Sequence, residues 1–260
     1  MRIVLGVSLF GDTQRHQLAK ESLVRLSEKF DIELVNLQIP GEKLIEDEKF
    51  TTKLLDYSSK EVCKDGKILP MTRNIFDVLA SYEADVFIFT NDDIIVSPTF
   101  IEHILSTDFD TYSASRMSIK KLDALTDTIE MDDHYQVAGF DVFAIKTSWW
   151  NQNKHRFPDY ILGYPCWDVH YATLCMKHSN GYLANKWPPP CFHIRHEIVS
   201  DEQTPAWEYN QNLYWRGFTA DAELWHRYLF NVLQKRPNNY HDVWSNESAL
   251  EKIYFNENTN

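Results

Sequence analysis

Asp85 to Pro98 reads DVFIFTNDDIIVSP. Val86, Phe87, Ile88 and Phe89 make a short apolar run rich in β-branched and aromatic residues. A run of this kind predicts a strand buried on both faces, as in the middle of a parallel sheet. It stops at Thr90, and Asn91, Asp92 and Asp93 follow at once. Two adjacent carboxylates at the carboxyl end of a buried strand repel each other and lose hydration. A hard divalent cation offsets both costs, since Mg2+ and Mn2+ favour carboxylate oxygen and leave positions for water and phosphate. In open α/β sheets the ligand crevice lies at this end of the strands. A solvated turn capping the strand is the rival reading, and these residues alone do not choose between the two.

The residues upstream shift the balance. Thr72-Arg73-Asn74 opens a helical stretch over Ile75 to Tyr82, which leads through Glu83-Ala84 into the strand. The whole run, TRNIFDVLASYEADVFIFTNDDIIVSP, resembles the core of GT-A glycosyltransferases, especially the family 2 group. There an Arg-Asn pair starts a helix, the helix feeds a strand, and the strand ends in an Asp-x-Asp type motif. Here Asn91 stands for the first acid of that motif, leaving Asp92 and Asp93. The match spans roughly a tenth of the chain at motif level.

The resemblance implies an α/β, GT-A-like fold, with a mostly parallel central sheet flanked by helices. It implies a nucleotide-sugar-binding and catalytic domain over residues 1–200, with 201–260 as a C-terminal helical extension. The implied reaction moves a sugar from a nucleotide diphosphate sugar to a glycan or other hydroxyl acceptor, with Mn2+ or Mg2+ as cofactor. In that reading Asp93, with Asp92 nearby, holds the ion. Arg73 and Asn74 lie toward the donor, and guanidinium pairs well with phosphate oxygen. A surface salt bridge is the plain alternative for Arg73.

Read in order, the chain opens with a strand over Ile3 to Ser8, a turn at Leu9 to Thr13, a helix over Gln14 to Phe30 and a second strand over Asp31 to Leu37. This strand–helix–strand pattern predicts a parallel pair. The first turn then shares a sheet edge with Asp92. In GT-A folds that turn helps hold the base and ribose, which makes Ser8 and Asp12 donor-binding candidates; capping of the helix by Asp12 or Thr13 is the competing use. Gly41 to Lys67 is charged, lacks a sustained period and reads as a solvated loop. A helix is expected over Phe100 to Leu105, a strand over Thr111 to Met117 and a polar rim loop over Lys120 to Asp133. Val137 to Ile145 reads as another strand. In the resembling families it lies beside the metal site, so Asp141 is a candidate donor contact, although alternation also allows it to face away.

Two later clusters carry chemistry. In ILGYPCWDVHYATL, Ile161 to Leu174, a loop with Gly163 and Pro165 leads to Trp167-Asp168 and a helix from about Val169. Many inverting GT-A enzymes carry an acid at the matching place, where it takes the proton of the acceptor hydroxyl. That work needs an ionised carboxylate within hydrogen-bond reach of the hydroxyl, and a helix N-terminus favours the ionised form. An N-cap is the plain use of Asp168. In CFHIRHE, Cys191 to Glu197, His193 and His196 are three apart. A late histidine completes the metal site in some GT-A families, which points to His193 first and His196 second. Neutral imidazole suits Mn2+, and a packed histidine bonded to backbone is the alternative. Trp149 to Pro158 fits either a sugar-binding rim or the core. Leu224 to Leu233 reads as an amphipathic helix.

The bulk numbers exclude little but agree. At 260 residues the chain can bury a full core. A net charge of −12 disfavours unspecific binding to nucleic acid or anionic lipid. Four cysteines without a C-x-x-C pair argue against a zinc ribbon and suit a reducing compartment. No stretch reaches membrane-spanning length, so a cytoplasmic protein is expected. Three rivals remain. A GT-A-like domain that binds nucleotide or glycan without turnover is kept open by Asn91. A sugar nucleotidyltransferase usually has a Gly-rich N-terminal loop with a basic residue, of which LFGDTQR is a poor version. An aspartate-nucleophile phosphatase needs its Asp directly after the strand, which Thr90-Asn91-Asp92-Asp93 does not supply.

Overall fold

The computed structural model describes residues 1–42, 44–64, 66–123, 128–131, 140–184, 190–194, 196, 204–217 and 244–245. The first half runs β1 (Ile3–Val7), α1 (Gln14–Phe30), β2 (Glu33–Gln38), β3 (Thr51–Leu54), α2 (Thr72–Ala80), β4 (Val86–Thr90), β5 (Ile94–Val96) and α3 (Pro98–Ser106). The second half runs β6 (Thr111–Ser115), β7 (Met117–Asp123), β8 (Thr128–Met131), β9 (Phe140–Lys146), α4 (Thr147–Asn153), α5 (Trp167–His178), β10 (Gly181–Ala184), β11 (Cys191–Ile194), α6 (Pro205–Gly217) and β12 (Trp244–Ser245).

The architecture is α/β, with a mostly parallel central sheet between helices. Its eight strands lie in the order β12-β10-β6-β9-β4-β1-β2-β3. β4 pairs parallel with β1 and antiparallel with β9, so it is central. All five of its residues are buried. Phe87 and Phe89 join one core cluster while Val86 and Ile88 join the other, which is why the run carries no polar alternation. The first cluster takes Ile75, Phe76 and Leu79 of α2, Trp149 and Trp150 of α4, and Tyr171 of α5. The second takes Leu23 and Leu26 of α1 and Phe100, Ile101 and Ile104 of α3. Helices thus cover both faces of the sheet. Trp149 and Trp150 belong to this core, with Trp150 fully buried, and not to a sugar-binding rim. At Gly6, a Cβ would lie 2.5 Å from a Leu79 methyl, so the bare backbone lets α2 approach β1.

Two segments depart from the sequence reading. Thr51–Leu54 lies inside the expected charged loop and pairs with β2 as an edge strand. Lys120 to Asp133 was expected as a rim loop. Its described part extends β7 and supplies β8, which pair antiparallel in a second sheet of order β5-β11-β7-β8. Leu224 to Leu233, and residues 137–139 of the expected strand, lie outside the described residues. Among the described residues, no helix is long and apolar enough to cross a membrane.

The register brings four chain segments to one edge. β1 and β4 run together, with Val7 beside Thr90, so Ser8 and Asn91 leave the sheet side by side. β9 runs the other way and enters at that edge, with Val142 beside Thr90. β6 is antiparallel to β9 and leaves there, with a bulge between Ala114 and Ser115 just before Arg116. The second sheet adds a fifth segment. His193 of β11 sits opposite Ile94 of β5, directly after Asp93.

Candidate active site

A cavity of about 510 Å³ opens at this edge. Ser8, Asp92, Asp93, Asp141, Asp168 and His193 all face it, as do His196 and Arg116. Its other wall is apolar and comes from Leu69-Pro70 and the Leu162 to Pro165 loop.

Asp93 and His193 are 100 residues apart in sequence, yet Nε2 of His193 lies 3.2 Å from Oδ2 of Asp93. His196 brings its own Nε2 to 3.6 Å from the same oxygen. One ligand atom from each of the three residues lies within 4.8 Å of the others. Burial alone raises the Asp93 carboxyl, but the His193 hydrogen bond and the charges of His193, Arg116 and His196 outweigh it. They hold the group at about 2. Asp93 is therefore ionised at neutral pH and can serve as a ligand.

Asp92, which also lines the cavity, has different partners. Its Oδ2 accepts hydrogen bonds from the backbone N–H groups of Phe10 and Gly11, each at 2.9 Å. The two acids of the pair thus have separate partners within one turn.

Asp141 is buried. Its Oδ1 accepts from Asn91 Nδ2 at 2.9 Å and from Arg116 Nη1 at 2.8 Å. Among the described residues its Oδ2 has no hydrogen-bond partner. Burial pushes this carboxyl up to about 7; Arg116 pulls it down, and Asp168 and Asp93 push it further up. The contact to Asn91 gives a reason for the residue that replaces the motif's first acid. An aspartate there would set carboxylate against carboxylate, whereas the amide donates. Arg116 was absent from the sequence reading. The usable signal was a lone guanidinium directly after a strand of small residues, TYSAS.

Asp168 lies in the first turn of α5, where its Oδ2 accepts from the Phe140 N–H at 3.0 Å. The N-cap is Cys166, which holds a left-handed backbone at φ 83°. Asp168 was expected to be kept ionised by the helix terminus. Burial raises its carboxyl, and the Phe140 and Val169 N–H groups and Arg116 pull against that rise. The Cys166 thiol is pushed up to about 11 by burial and by Asp168, so it is no thiolate nucleophile at neutral pH.

Four residues set the cavity's frame or lie outside it. Ser8 is buried, and its hydroxyl has no hydrogen-bond partner among the described residues. Asp12 is exposed and does not line the cavity. Arg73 lies 3.9 Å from Asp77 one turn along α2, and Asn74 donates to the Tyr57 carbonyl at 3.0 Å. Neither lines the cavity. The loop before α5 is held by Asn210 of α6, another residue the sequence did not single out. Its Oδ1 accepts from the Ile161 N–H at 2.9 Å, and its Nδ2 donates to the Ile161 and Pro165 carbonyls at 2.9 and 3.2 Å.

No protein-family model matches the chain. No curated protein matches it either. Among solved structures, it is similar to residues 1–349 of TarS from S. aureus, at 10% identity and TM-score 0.47, over 98% of this chain and 78% of that one. It is similar to the galactosyltransferase LgtC in complex with donor and acceptor sugar analogs, at 12% identity and TM-score 0.33, over 85% of this chain and 97% of that one. It is also similar to the inositol-1-phosphate CTP transferase of T. maritima, at 15% identity and TM-score 0.35, over 60% of this chain and 74% of that one. The functional reading is carried by the cavity.

Proposed function

We propose that the protein is a metal-dependent, GT-A-like glycosyltransferase, which moves a sugar from a nucleotide diphosphate sugar to a hydroxyl acceptor with inversion. The observation that carries this reading is the convergence, in one cavity at the strand ends, of an ionised Asp93, two imidazoles and a separate, half-buried carboxyl, Asp168.

The donor set fits a first-row divalent ion. One carboxylate oxygen and two imidazole nitrogens suit Mn2+ better than Mg2+, which favours oxygen ligands throughout. Asp93, His193 and His196 hold the ion in this reading, and a bound cation supplies neutralising charge for a diphosphate leaving group. Ser8 and Asp141 each hold an oxygen with no partner among the described residues, which suits bonds to hydroxyls of the donor. Asp168 accepts the proton of the acceptor hydroxyl. The acceptor oxygen bonds to the anomeric carbon as the carbon–oxygen bond to phosphate breaks, and the nucleoside diphosphate leaves. A carboxyl raised by burial is a stronger base than an exposed one, which suits this role.

The test is a panel of nucleotide sugars, with and without Mn2+, scored for binding and for donor hydrolysis. Mn2+-dependent hydrolysis that Asp93→Ala abolishes is the expected result. Failure of every nucleotide sugar to bind in the presence of Mn2+ overturns the reading.

A further inference from the structure

We infer that Asp92 is a positioning residue. It fixes the turn after β1 in place at the cavity mouth and is not a ligand of the ion. The inference rests on the proposed function in naming the ion and in naming the cavity's occupant as a nucleotide.

Asp92 bridges segments more than eighty residues apart. One oxygen, Oδ2, takes both the Phe10 and the Gly11 N–H, at 2.9 Å each. Hydrogen bonds to an ionised acceptor are about twice as strong as neutral ones. The other oxygen, Oδ1, faces His16 Nε2 at 3.9 Å, with both side chains largely shielded from solvent. The His16 ring is in turn held by Thr13, whose hydroxyl lies 2.7 Å from Nδ1. The ring lies directly against Gly11, because a Cβ at that position would fall 2.1 Å from it. Turn, ring and carboxylate therefore form one packed corner. To reach the Asp93, His193 and His196 group, Asp92 would have to give up both amides, and none of its oxygens belongs to that group.

What the corner positions is on the cavity side. Ser8 and Phe10 both line the cavity, and the Phe10 ring is 46% exposed there. An exposed aromatic is a poor fixed surface unless its backbone is held. Here the carboxylate holds the Phe10 N–H itself, so the ring face is presented in a set place to a flat or C–H-rich part of the occupant.

Three variants test this: Asp92→Ala, Asp92→Asn and Asp93→Ala. The readouts are amide hydrogen exchange over residues 8–13, Mn2+ affinity by calorimetry, and affinity for a panel of nucleoside diphosphates with Mn2+. In Asp92→Ala, the Phe10 and Gly11 amides are expected to exchange roughly tenfold faster or more, as befits the loss of their acceptor. Mn2+ affinity stays within about threefold, and nucleoside diphosphate affinity falls roughly tenfold. Asp92→Asn restores both the slow exchange and the nucleotide affinity, because its amide oxygen can accept the same two N–H groups. Asp93→Ala alone loses Mn2+. The inference is overturned if Asp92→Asn or Asp92→Ala costs as much Mn2+ affinity as Asp93→Ala, or if exchange of the two amides does not change in Asp92→Ala. If the native protein binds no nucleoside diphosphate or no Mn2+, the functional reading fails, and amide exchange still decides the role of Asp92.

Discussion

Asp168 is where a capping role and a catalytic role give opposite results, and Asp168→Asn separates them. The carboxyl is half-buried, and its loss of hydration raises it above its ordinary value. The folded protein thus binds this proton more tightly than the unfolded chain. Its contribution to stability therefore falls as pH climbs from the ordinary carboxylate range through the raised folded value. Asparagine removes that penalty, and its side-chain oxygen can still accept the Phe140 N–H, now bonded at 3.0 Å. The Asn variant should melt no lower than the native protein at pH 8. Alanine removes the acceptor too and leaves a buried N–H unsatisfied, at a cost of about 1–3 kcal/mol. For transfer, loss of a positioned base costs about 10²–10⁴ in rate, or about 3–5.5 kcal/mol of barrier. The assay pairs thermal unfolding at pH 5 and pH 8 with transfer to a hydroxyl acceptor, and with donor affinity as a control. Donor affinity should hold while transfer collapses. Transfer spared in Asp168→Asn, with a melting loss in Asp168→Ala alone, would show that the side chain is only a helix-end acceptor.

Three further outcomes follow from the same geometry. In metal-free buffer, stability should fall as pH rises from about 4 to about 7, since Asp141 is raised from 3.8 to about 7; the shift corresponds to about 4 kcal/mol, and Asp141→Asn should flatten that part of the pH profile in chemical denaturation. Asn91→Asp, which supplies the acid missing from the resembling motif, should destabilise at pH 8 by about 1.5–3 kcal/mol and by less at pH 5. It turns a donor 2.9 Å from Asp141 into a like charge, and equal stability at the two pH values would refute the account. Asn210→Ala strips partners from three backbone groups of the loop before α5. It should cost about 3 kcal/mol or more in unfolding free energy and lower transfer through Asp168, and a loss under about 1 kcal/mol would show that the clamp is dispensable.

How far the fold could be read from the chain depends on burial. β4 was legible because both of its faces are covered, so its composition alone marks it. α1 was legible end to end because its polar and apolar residues repeat with helical period. β3 was not, because Thr51-Thr52-Lys53-Leu54 is an edge strand with mostly exposed side chains and no alternation to read. β5 was hidden for another reason. Its three residues follow directly on Asp93, and only pairing with β11, about a hundred residues on, makes them a strand.

The cavity shows the same limit in sharper form. Sequence spacing treats Asp92 and Asp93 as one acidic pair, because adjacency is all it can see. The turn between β4 and β5 sends one carboxylate back toward β1 and the other forward toward β11. What each acid does is then set by which strand waits on its side: amide donors from Phe10 and Gly11 for Asp92, imidazoles from His193 and His196 for Asp93. Such partners are non-local, so a motif can nominate the acids without assigning them. The same holds for Arg116, whose importance comes from β6 ending and β9 beginning at one edge, where its guanidinium lies 2.8 Å from Asp141 among four carboxyl groups that line the cavity. A chain of net charge −12 can bind an anionic diphosphate at that edge only if positive charge is gathered there. The fold gathers Arg116 and the two histidines there from two segments more than seventy residues apart, and in the proposed reading a cation held by Asp93, His193 and His196 would supply the rest.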